Sequence, residues 1–378
     1  MEKTYINLVP VMTGGGLQNA INLIIGIHDL EYDKSRFIFL IRNKTLEKIL
    51  IKNQMEYIIF KDSLRSRLFF ELFFFIKKKN YIIFTLFGGK PFFSYKNFTI
   101  SGCAYSNLFY PNIDFWGYLS FNKRVIKKIK DVYRFYLIKF SNVVIFETEV
   151  LKERADKIKK FDSDKTFVVK MAVNKIVSDA MIKKSEEFFT KDIKKSFKIL
   201  YLGSSHPNKR QHLLIQIAKE MKKTNTDFCF ITTMQDNSYT KSFSDTIKEE
   251  DLGGFIYNLG PINSMDAGKL IRECDSMINI AVLESFSNNF IEAWTFKKPL
   301  ILTDADWSRE SCGESAFYIN PENFKETANG ILTLIENKKL QQTLLLSYED
   351  TLSGYFNYKE KTQKYIELIN KFNGGSRH

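Results

Sequence analysis

Two carboxylates, Glu284 and Glu292, stand eight positions apart on either side of a short polar stretch. The first follows an apolar run, Met277 to Leu283, that reads as a buried strand. The second lies among Phe290, Ile291, Ala293 and Trp294, which recur at helical spacing. Between them Ser285, Ser287, Asn288 and Asn289 suit a tight turn and a helix start. The pattern predicts Glu284 at a strand's carboxyl end and Glu292 about one turn into the next helix. In open α/β sheets ligands bind at such places. The N–H groups of Ser287, Asn288 and Asn289, at the helix start, would face the same space. A helix N-terminus attracts phosphate, and a carboxylate one turn in can accept hydrogen bonds from sugar hydroxyls.

Two other loops are built for anions. Thr13-Gly14-Gly15-Gly16 joins a strand-like Tyr5 to Val9 to a helical pattern of Leu17, Ala20, Ile21, Ile24 and Ile25. Glycines there let backbone N–H groups approach an anion closely. The spelling is neither G-x-G-x-x-G nor a Walker loop. The second loop, Gly203-Ser204-Ser205-His206-Pro207-Asn208-Lys209-Arg210, connects an apolar Phe197 to Leu202 to a helix predicted over Gln211 to Met221. Lys209 at a strand–helix turn behind Gly203 favours phosphate.

The elements that must position these groups alternate. Apolar strands are predicted at Phe37 to Ile41, Tyr57 to Phe60, Tyr81 to Leu86, Asn142 to Phe146 and Phe167 to Lys170 in the first half. Asp227 to Thr232, Phe255 to Leu259, Ser276 to Ile280, Pro299 to Leu302 and Ala316 to Pro321 follow in the second. Helical segments lie between them, which implies parallel sheets covered on both faces. Ile100 to Pro111 reads as a polar loop, and Asp304 to Trp307 as another. With 378 residues, two domains are expected. The first covers 1–175, a charged linker 176–195, and the second 196–355, with further helices at Phe324 to Asn337, Lys339 to Leu352 and Tyr358 to Phe372.

The Glu284 to Glu292 stretch resembles the E-x7-E signature of glycosyltransferase family 4, and the order of loops from about 197 to 322 follows that family. The resemblance implies the GT-B fold: two Rossmann-like parallel-sheet domains facing each other across a cleft. It implies that the 356–372 helix crosses back to the first domain, which sits on the acceptor side, while the second holds a nucleotide-sugar donor. It implies that Glu284 contacts the donor sugar and Glu292 binds the ribose. Lys209 matches the lysine of the family's phosphate-binding loop, where it can neutralise the diphosphate leaving group. Gly15 and Gly16 match the glycine loop lining the diphosphate and acceptor cleft. Ser287, Asn288, Asn289, Gly203 and Ser204 complete the expected donor site.

Two departures stand out. The family's loop arginine falls on Ser204, leaving His206 and Arg210 to replace it. Many members carry a histidine in the first half, but the four histidines here are His28, His206, His212 and His378, and His28 reads as a surface residue. Ser101, Cys103, Tyr105, Ser106 and Asn107 become the candidate sugar or acceptor contacts. The implied reaction transfers a sugar from a nucleotide-sugar, a UDP-sugar as first choice, with retention at the anomeric carbon. A donor phosphate oxygen deprotonates the acceptor at the front face, with no protein nucleophile. The implied setting is bacterial surface-polysaccharide synthesis of the O-antigen or capsule kind, on a glycan or lipid-linked acceptor. No metal and no further cofactor are expected: Asp304-Ala305-Asp306 spells an Asp-x-Asp but follows the helix bearing Glu292. A nucleotide-sugar epimerase of the same fold, or a non-catalytic nucleotide-sugar-binding scaffold, are the alternatives. Nucleotide release that depends on acceptor separates the transferase from both.

Composition limits the setting. Net charge is +13 with pI near 9.2. Hydrophobic content of 44% fits a globular chain with no apolar run long enough to span a bilayer. No signal peptide is expected, and Cys103, Cys229, Cys274 and Cys312 are expected as reduced thiols of a cytosolic protein. Lys-, Ile-, Phe- and Asn-rich usage fits an AT-rich bacterial genome. Basic residues flank Leu68 to Phe75, with Arg65 and Arg67 before and Lys77-Lys78-Lys79 after, and they interleave with apolar ones from Lys123 to Lys139. Both read as amphipathic helices for an anionic membrane surface, the first more strongly because its phenylalanines exceed one buried stripe. A location on the inner face of the cell membrane follows as an expectation. No nucleic-acid motif is present, so nucleic acid is not an expected partner.

Overall fold

The structure is a computed structural model that describes residues 3–76, 81–94, 96–182, 188–189, 193 and 197–373. The Lys77-Lys78-Lys79 run, half of the expected linker and the Gly374 to His378 tail lie outside the described residues.

The chain divides into two units, Met1–Ala172 with Phe356–His378, and Val173–Tyr355. In the first, β1 (Thr4–Asn7), α1 (Gly14–Asp29), β2 (Phe37–Ile41), α2 (Lys44–Lys52), β3 (Glu56–Ile59), α3 (Leu64–Ile76) and β4 (Ile82–Thr85) alternate. Then come β5 (Phe98–Cys103), α4 (Phe121–Lys139), β6 (Val143–Phe146), α5 (Glu149–Lys159) and β7 (Thr166–Val168). The second unit holds α6 (Lys175–Ile182), β8 (Phe197–Tyr201), α7 (Leu213–Lys222), β9 (Phe228–Thr232), α8 (Ser238–Glu249) and β10 (Ile256–Asn258). It continues with α9 (Ser264–Glu273), β11 (Ser276–Asn279), α10 (Asn288–Thr295), β12 (Leu300–Thr303), α11 (Asp306–Cys312), β13 (Phe317–Ile319), α12 (Phe324–Glu336) and α13 (Lys338–Ser353). Helix α14 (Tyr358–Asn373) belongs to the first unit.

The strand order is β3-β2-β1-β4-β5-β6-β7 in one sheet and β10-β9-β8-β11-β12-β13 in the other, and the pairings are parallel. Parallel strands are covered on both faces and therefore read as unbroken apolar runs. Residues of β1, β2, β4, β6, β9, β11 and β12 are buried throughout. Each order reverses once, between β1 and β4 and between β8 and β11, which makes those gaps the switch points where ligands bind in such sheets.

Three expectations need correction. Ile100 to Cys103 is not loop but the buried end of β5. Its small polar residues are satisfied inside the sheet: Ser101 Oγ lies 2.7 Å from Ser141 Oγ, and Asn142 Oδ1 accepts from Thr99 N at 2.9 Å. The stretch expected to open the linker at 176 instead forms α6, packed on α9 where Gly268 has no Cβ to meet Ala180. The loop expected at Asp304 to Trp307 gives way to α11, which begins at Asp306 with Trp307 buried and stacked on Phe290.

Helix α14 is held tightly on α1. A Cβ at Gly26 would overlap Thr362 Oγ1, so only glycine permits this approach. Tyr358 donates to Asp29 Oδ2 at 2.6 Å, and the buried Lys361 ammonium donates to Asn19 Oδ1 at 2.7 Å. Burial pulls the Lys361 pKa down to about 8, against the opposing pull of the Glu147 charge. All four cysteines are free and buried.

Candidate active site

The site in the second unit is assembled from the loops leaving β8, β9, β11 and β12. Its frame begins at Gly203, whose φ of +155° carries the chain out of β8 in a conformation that favours glycine. Thr233 Oγ1 accepts from Gly203 N at 2.9 Å, and Gln235 Oε1 accepts from Ser205 N at 2.8 Å. Asn237 Nδ2 donates to Ser205 Oγ at 2.5 Å. The Gly203–Arg210 loop is thus pinned by three polar side chains from the loop after β9. On its other side Asn208 reaches the loop after β11: its O accepts from Val282 N at 2.8 Å and its Nδ2 donates to Leu283 O at 2.9 Å.

Those bonds set Lys209 against Glu284. The Lys209 ammonium and a Glu284 carboxylate oxygen form an ion pair, with side chains 20% and 17% exposed. The pair bridges the β8 and β11 loops and so spans the switch point of this sheet. Glu284 lies five residues beyond Asn279, the end of β11, because the apolar run 280–283 leaves the sheet and follows Asn208 instead of pairing. Trp307 Nε1 donates to Val282 O at 3.0 Å and fixes the same run from α11.

Helix α10 begins after Ser287, which is buried, and Asn289 Nδ2 donates to Leu202 O at 2.7 Å. That bond ties the helix start to the end of β8. Phe286, Phe290 and Trp294 lock the helix into an aromatic cluster with Trp307 and Tyr355. Glu292, on the fifth residue of α10, is 1% exposed. Its Oε1 has no hydrogen-bond partner, and burial raises its pKa to about 7. An uncompensated buried carboxyl costs stability, since desolvation is not offset by a bond. Such a group is ready to accept a hydroxyl donor.

Arg210 does not take the place of the missing loop arginine. Its guanidinium donates to Ile280 O at 2.8 Å, Thr303 Oγ1 at 3.2 Å and Glu322 Oε1 at 3.0 Å, stitching the loops after β11 and β13 to the end of β12. His206 Nδ1 accepts from Asn208 N at 3.1 Å and caps the short turn carrying Lys209. Ser204 is exposed, and its carbonyl accepts from Gln211 Nε2 at 3.0 Å. Arg309 Nε and Nη2 donate to the two Asp304 carboxylate oxygens, at 2.5 and 2.8 Å.

The first-unit candidates are arranged otherwise. Gly15 and Gly16 fall within the first turn of α1, not in a turn ahead of it; the helix opens on Gly14, at φ +63°. First-turn N–H groups have no intrahelical partner, so they remain available there. Cys103 is 1% exposed, its thiol pKa pushed to about 12 by burial, which leaves it a packing group. Ser106 is buried. Asn107 Nδ2 donates to Asp131 Oδ2 at 2.8 Å, and the Arg134 guanidinium covers the Tyr105 ring at 5.0 Å. Asn107 and Tyr105 thereby hold α4. His28 is exposed at the surface.

Thr233, Gln235, Asn237 and Asn208 carry the loop and were not singled out from sequence. The available signal was a run of hydroxyl and amide residues leaving a buried strand beside the Gly203 loop.

Residues 183–344 match the sequence model of a family described as "Glycosyl transferases group 1". The O-antigen chain mannosyltransferase RfbU of Salmonella typhimurium is 24% identical over 234 residues, 61% of this chain and 59% of that protein. The aligned part thus spans less than two thirds of that relative. A glycosyltransferase from Rickettsia africae superposes with a TM-score of 0.72 over 99% of this chain and all of that one, at 18% identity. HepE from Anabaena, solved with UDP and glucose, superposes with a TM-score of 0.70 over 98% of this chain and all of that one, at 15% identity. The fold is GT-B. Within it, the second unit carries the sequence pattern of the group 1 glycosyltransferases.

Proposed function

We propose that the chain is a retaining glycosyltransferase that moves a hexosyl group from a nucleotide-sugar to a glycan or lipid-linked glycan acceptor. The observation that carries this reading is the buried Glu292 carboxyl with an unpartnered Oε1, one turn inside a helix tied to the Lys209–Glu284 loops. A ribose hydroxyl donating to Glu292 would relieve its desolvation. The N–H groups opening α10 and the Lys209 ammonium then meet the diphosphate, and Glu284 meets the sugar.

Charge develops on the departing diphosphate as the anomeric carbon becomes cationic. Fixed N–H donors and a positioned ammonium stabilise that charge without reorganising, and each such group is worth on the order of 3–4 kcal/mol in the barrier. Glu284 orients Lys209 through their ion pair. No protein nucleophile is needed if a donor phosphate oxygen takes the acceptor proton. The reading includes no divalent cation, and Asp304 is engaged by Arg309.

The donor of choice is a UDP-sugar, since HepE was solved with UDP and glucose. The acceptor belongs to a surface polysaccharide of the O-antigen kind, in line with the similarity to RfbU. The reaction would take place in the cytoplasm at the inner face of a bacterial cell membrane. The test is release of nucleotide from UDP-glucose, UDP-galactose, GDP-mannose and related donors, with and without membrane-extracted acceptor glycans. Release that requires acceptor, and transfer of label into the extract, is expected. Sugar interconversion without acceptor would replace the transferase with an epimerase, and binding without turnover would make the chain a non-catalytic nucleotide-sugar-binding scaffold.

A further inference from the structure

Helix α4 is amphipathic in the inverse sense. A surface helix ordinarily turns its apolar stripe toward the core. Here Asp131 and Ile138 face inward, buried, and the apolar residues face out. Phe121 is 78% exposed, Ile129 63%, Phe140 63% and Ile126 53%. Val125, Val132, Tyr133 and Tyr136 are exposed beside them. At 100° per residue these eight side chains fill an arc of about 140°, centred opposite Asp131 and Ile138. Lys123 and Lys130 border one edge of the arc and Lys128 the other, and all three are exposed.

The inward side is fixed. Asp131 accepts from Asn107, Trp116 Nε1 and Arg134, at 2.8, 2.6 and 3.1 Å. A Cβ at Gly89 would overlap Leu137, so the helix rests directly on the backbone there. The orientation is therefore set by the fold, and rotation of α4 to bury its stripe would break this anchor.

The apolar surface continues beyond α4. Phe92, 53% exposed, stacks on Tyr133 with ring centroids 6.4 Å apart and meets Phe93 at 4.9 Å. Phe93 in turn meets Phe75 of α3 at 6.1 Å. Glu71 of α3 accepts from Phe92 N at 2.7 Å and holds this bridge in place. Phe75, Leu68, Phe69 and Leu72 extend the exposed surface along α3. The opposite side of α3 is ordinary core, with Phe70, Phe73 and Phe74 packed under Tyr5 and Phe60. Both helices thus present exposed apolar side chains, those of α4 forming the broader face, since α3 spends three phenylalanines on the core.

We infer that the surface formed by α4, Phe92, Phe93 and the outer side of α3 seats on an anionic lipid bilayer. An exposed apolar patch of this extent marks an interaction site. Its occupant is read from charge: residues 121–140 contain seven cations and one acid, and that acid faces inward. Interfacial helices with apolar faces bordered by lysine bind anionic lipid in this way. A protein partner would need a matching acidic rim, whereas a bilayer of anionic headgroups supplies it everywhere. Among the described residues no helix is long and apolar enough to cross a membrane, so contact would be with one leaflet.

The inference stands apart from the transferase reading and tests separately from it. The full chain is sedimented with vesicles of phosphatidylcholine alone and of phosphatidylcholine with phosphatidylglycerol. Binding is expected to the second kind and to weaken with salt. Ile129→Glu together with Phe92→Ser should lower the bound fraction at least tenfold, and Lys123→Glu, Lys128→Glu and Lys130→Glu should each lower it roughly fivefold. Urea unfolding of the same variants should match the parent, which separates lost docking from lost folding. The inference is overturned if the parent ignores both vesicles, or if the variants bind as well as the parent. It is equally overturned if Ile129→Glu changes only self-association by light scattering, which would make the surface a contact between copies. Nucleotide binding by these variants should be unaffected.

Discussion

Helix α10 buries a carboxyl to 1% exposure, while helix α4 leaves a phenylalanine and an isoleucine more than 60% exposed. Each departs from the ordinary partition of side chains, in opposite directions. In both cases the surrounding fold holds the departure in place. Aromatic packing and Asn289 fix α10, and the Asp131 knot with Gly89 fixes α4. A costly arrangement that is rigidly maintained signals something that complements it, and local violations of the burial rules are expected at functional sites. The two helices differ in what they lack: a hydroxyl donor for α10, an apolar phase for α4. The switch points of the two sheets repeat the contrast. In the second unit that gap carries a lysine–glutamate pair, and in the first it carries glycines and Phe87, with Phe87 Cδ2 3.6 Å from where a Gly16 Cβ would lie.

The comparison breaks most readily at α3, where inner and outer sides carry the same residue type. Phe74→Ala should cost about 3–5 kcal/mol in urea unfolding, because it empties a core position. Phe75→Ala, on the bilayer side, should cost less than about 0.5 kcal/mol. Equal losses would mean the outer side of α3 is packed after all. At the switch point, Lys209→Ala should slow acceptor-dependent nucleotide release roughly 100- to 1000-fold. An unchanged rate would remove Lys209 from the leaving-group role.

Glu292→Gln should act on pH dependence. The folded pKa of about 7 lies above the ordinary carboxylate value. Between roughly pH 4.5 and 7 the folded chain therefore keeps a proton that the unfolded chain has released. Stability contributed by Glu292 is greatest below that window, falls as pH rises through it and is level above. The variant should remove that slope and gain on the order of 3 kcal/mol over the parent at pH 8, but little at pH 5. Urea midpoints across pH would check it, and parallel curves for the two proteins would contradict the buried-acid assignment. The smallest effect belongs to Ile129→Glu, within about 0.5 kcal/mol of the parent in the absence of lipid.

Much of this was legible in the sequence because parallel sheets demand apolar strands. Phe37 to Ile41 and the runs around β8 to β13 declare themselves, usually within a residue or two of the observed ends. β5 did not, since Thr99, Ser101 and Gly102 look like loop residues; their polar atoms are satisfied by Ser141 and Asn142, forty or so positions away. A Cβ at Gly102 would overlap Leu86 O, a reason for glycine that no local pattern reveals. The carboxylate spacing located Glu284 and Glu292, but only the three-dimensional contacts show that one is paired and the other is not. Composition does not say which arc of the two basic helices faces the protein; the burial of Phe70, Phe73 and Phe74 on α3 and the outward apolar arc of α4 do. Arg210 looked like a spare cation and proved to be spent on carbonyls of neighbouring loops.

The central claim is that Glu292 and the Lys209–Glu284 pair form a nucleotide-sugar site, and calorimetric titration of the full chain with UDP, GDP, CDP and ADP, alone and as sugar conjugates, tests it directly. One nucleotide series should bind and, at 100 times its dissociation constant, stabilise the fold by roughly 2.7 kcal/mol. Its affinity should rise from pH 6 to 8 as Glu292 ionises, and Glu292→Gln should weaken it at least tenfold and flatten that rise. No binding by any series, or binding indifferent to Glu292 and to pH, would contradict the account.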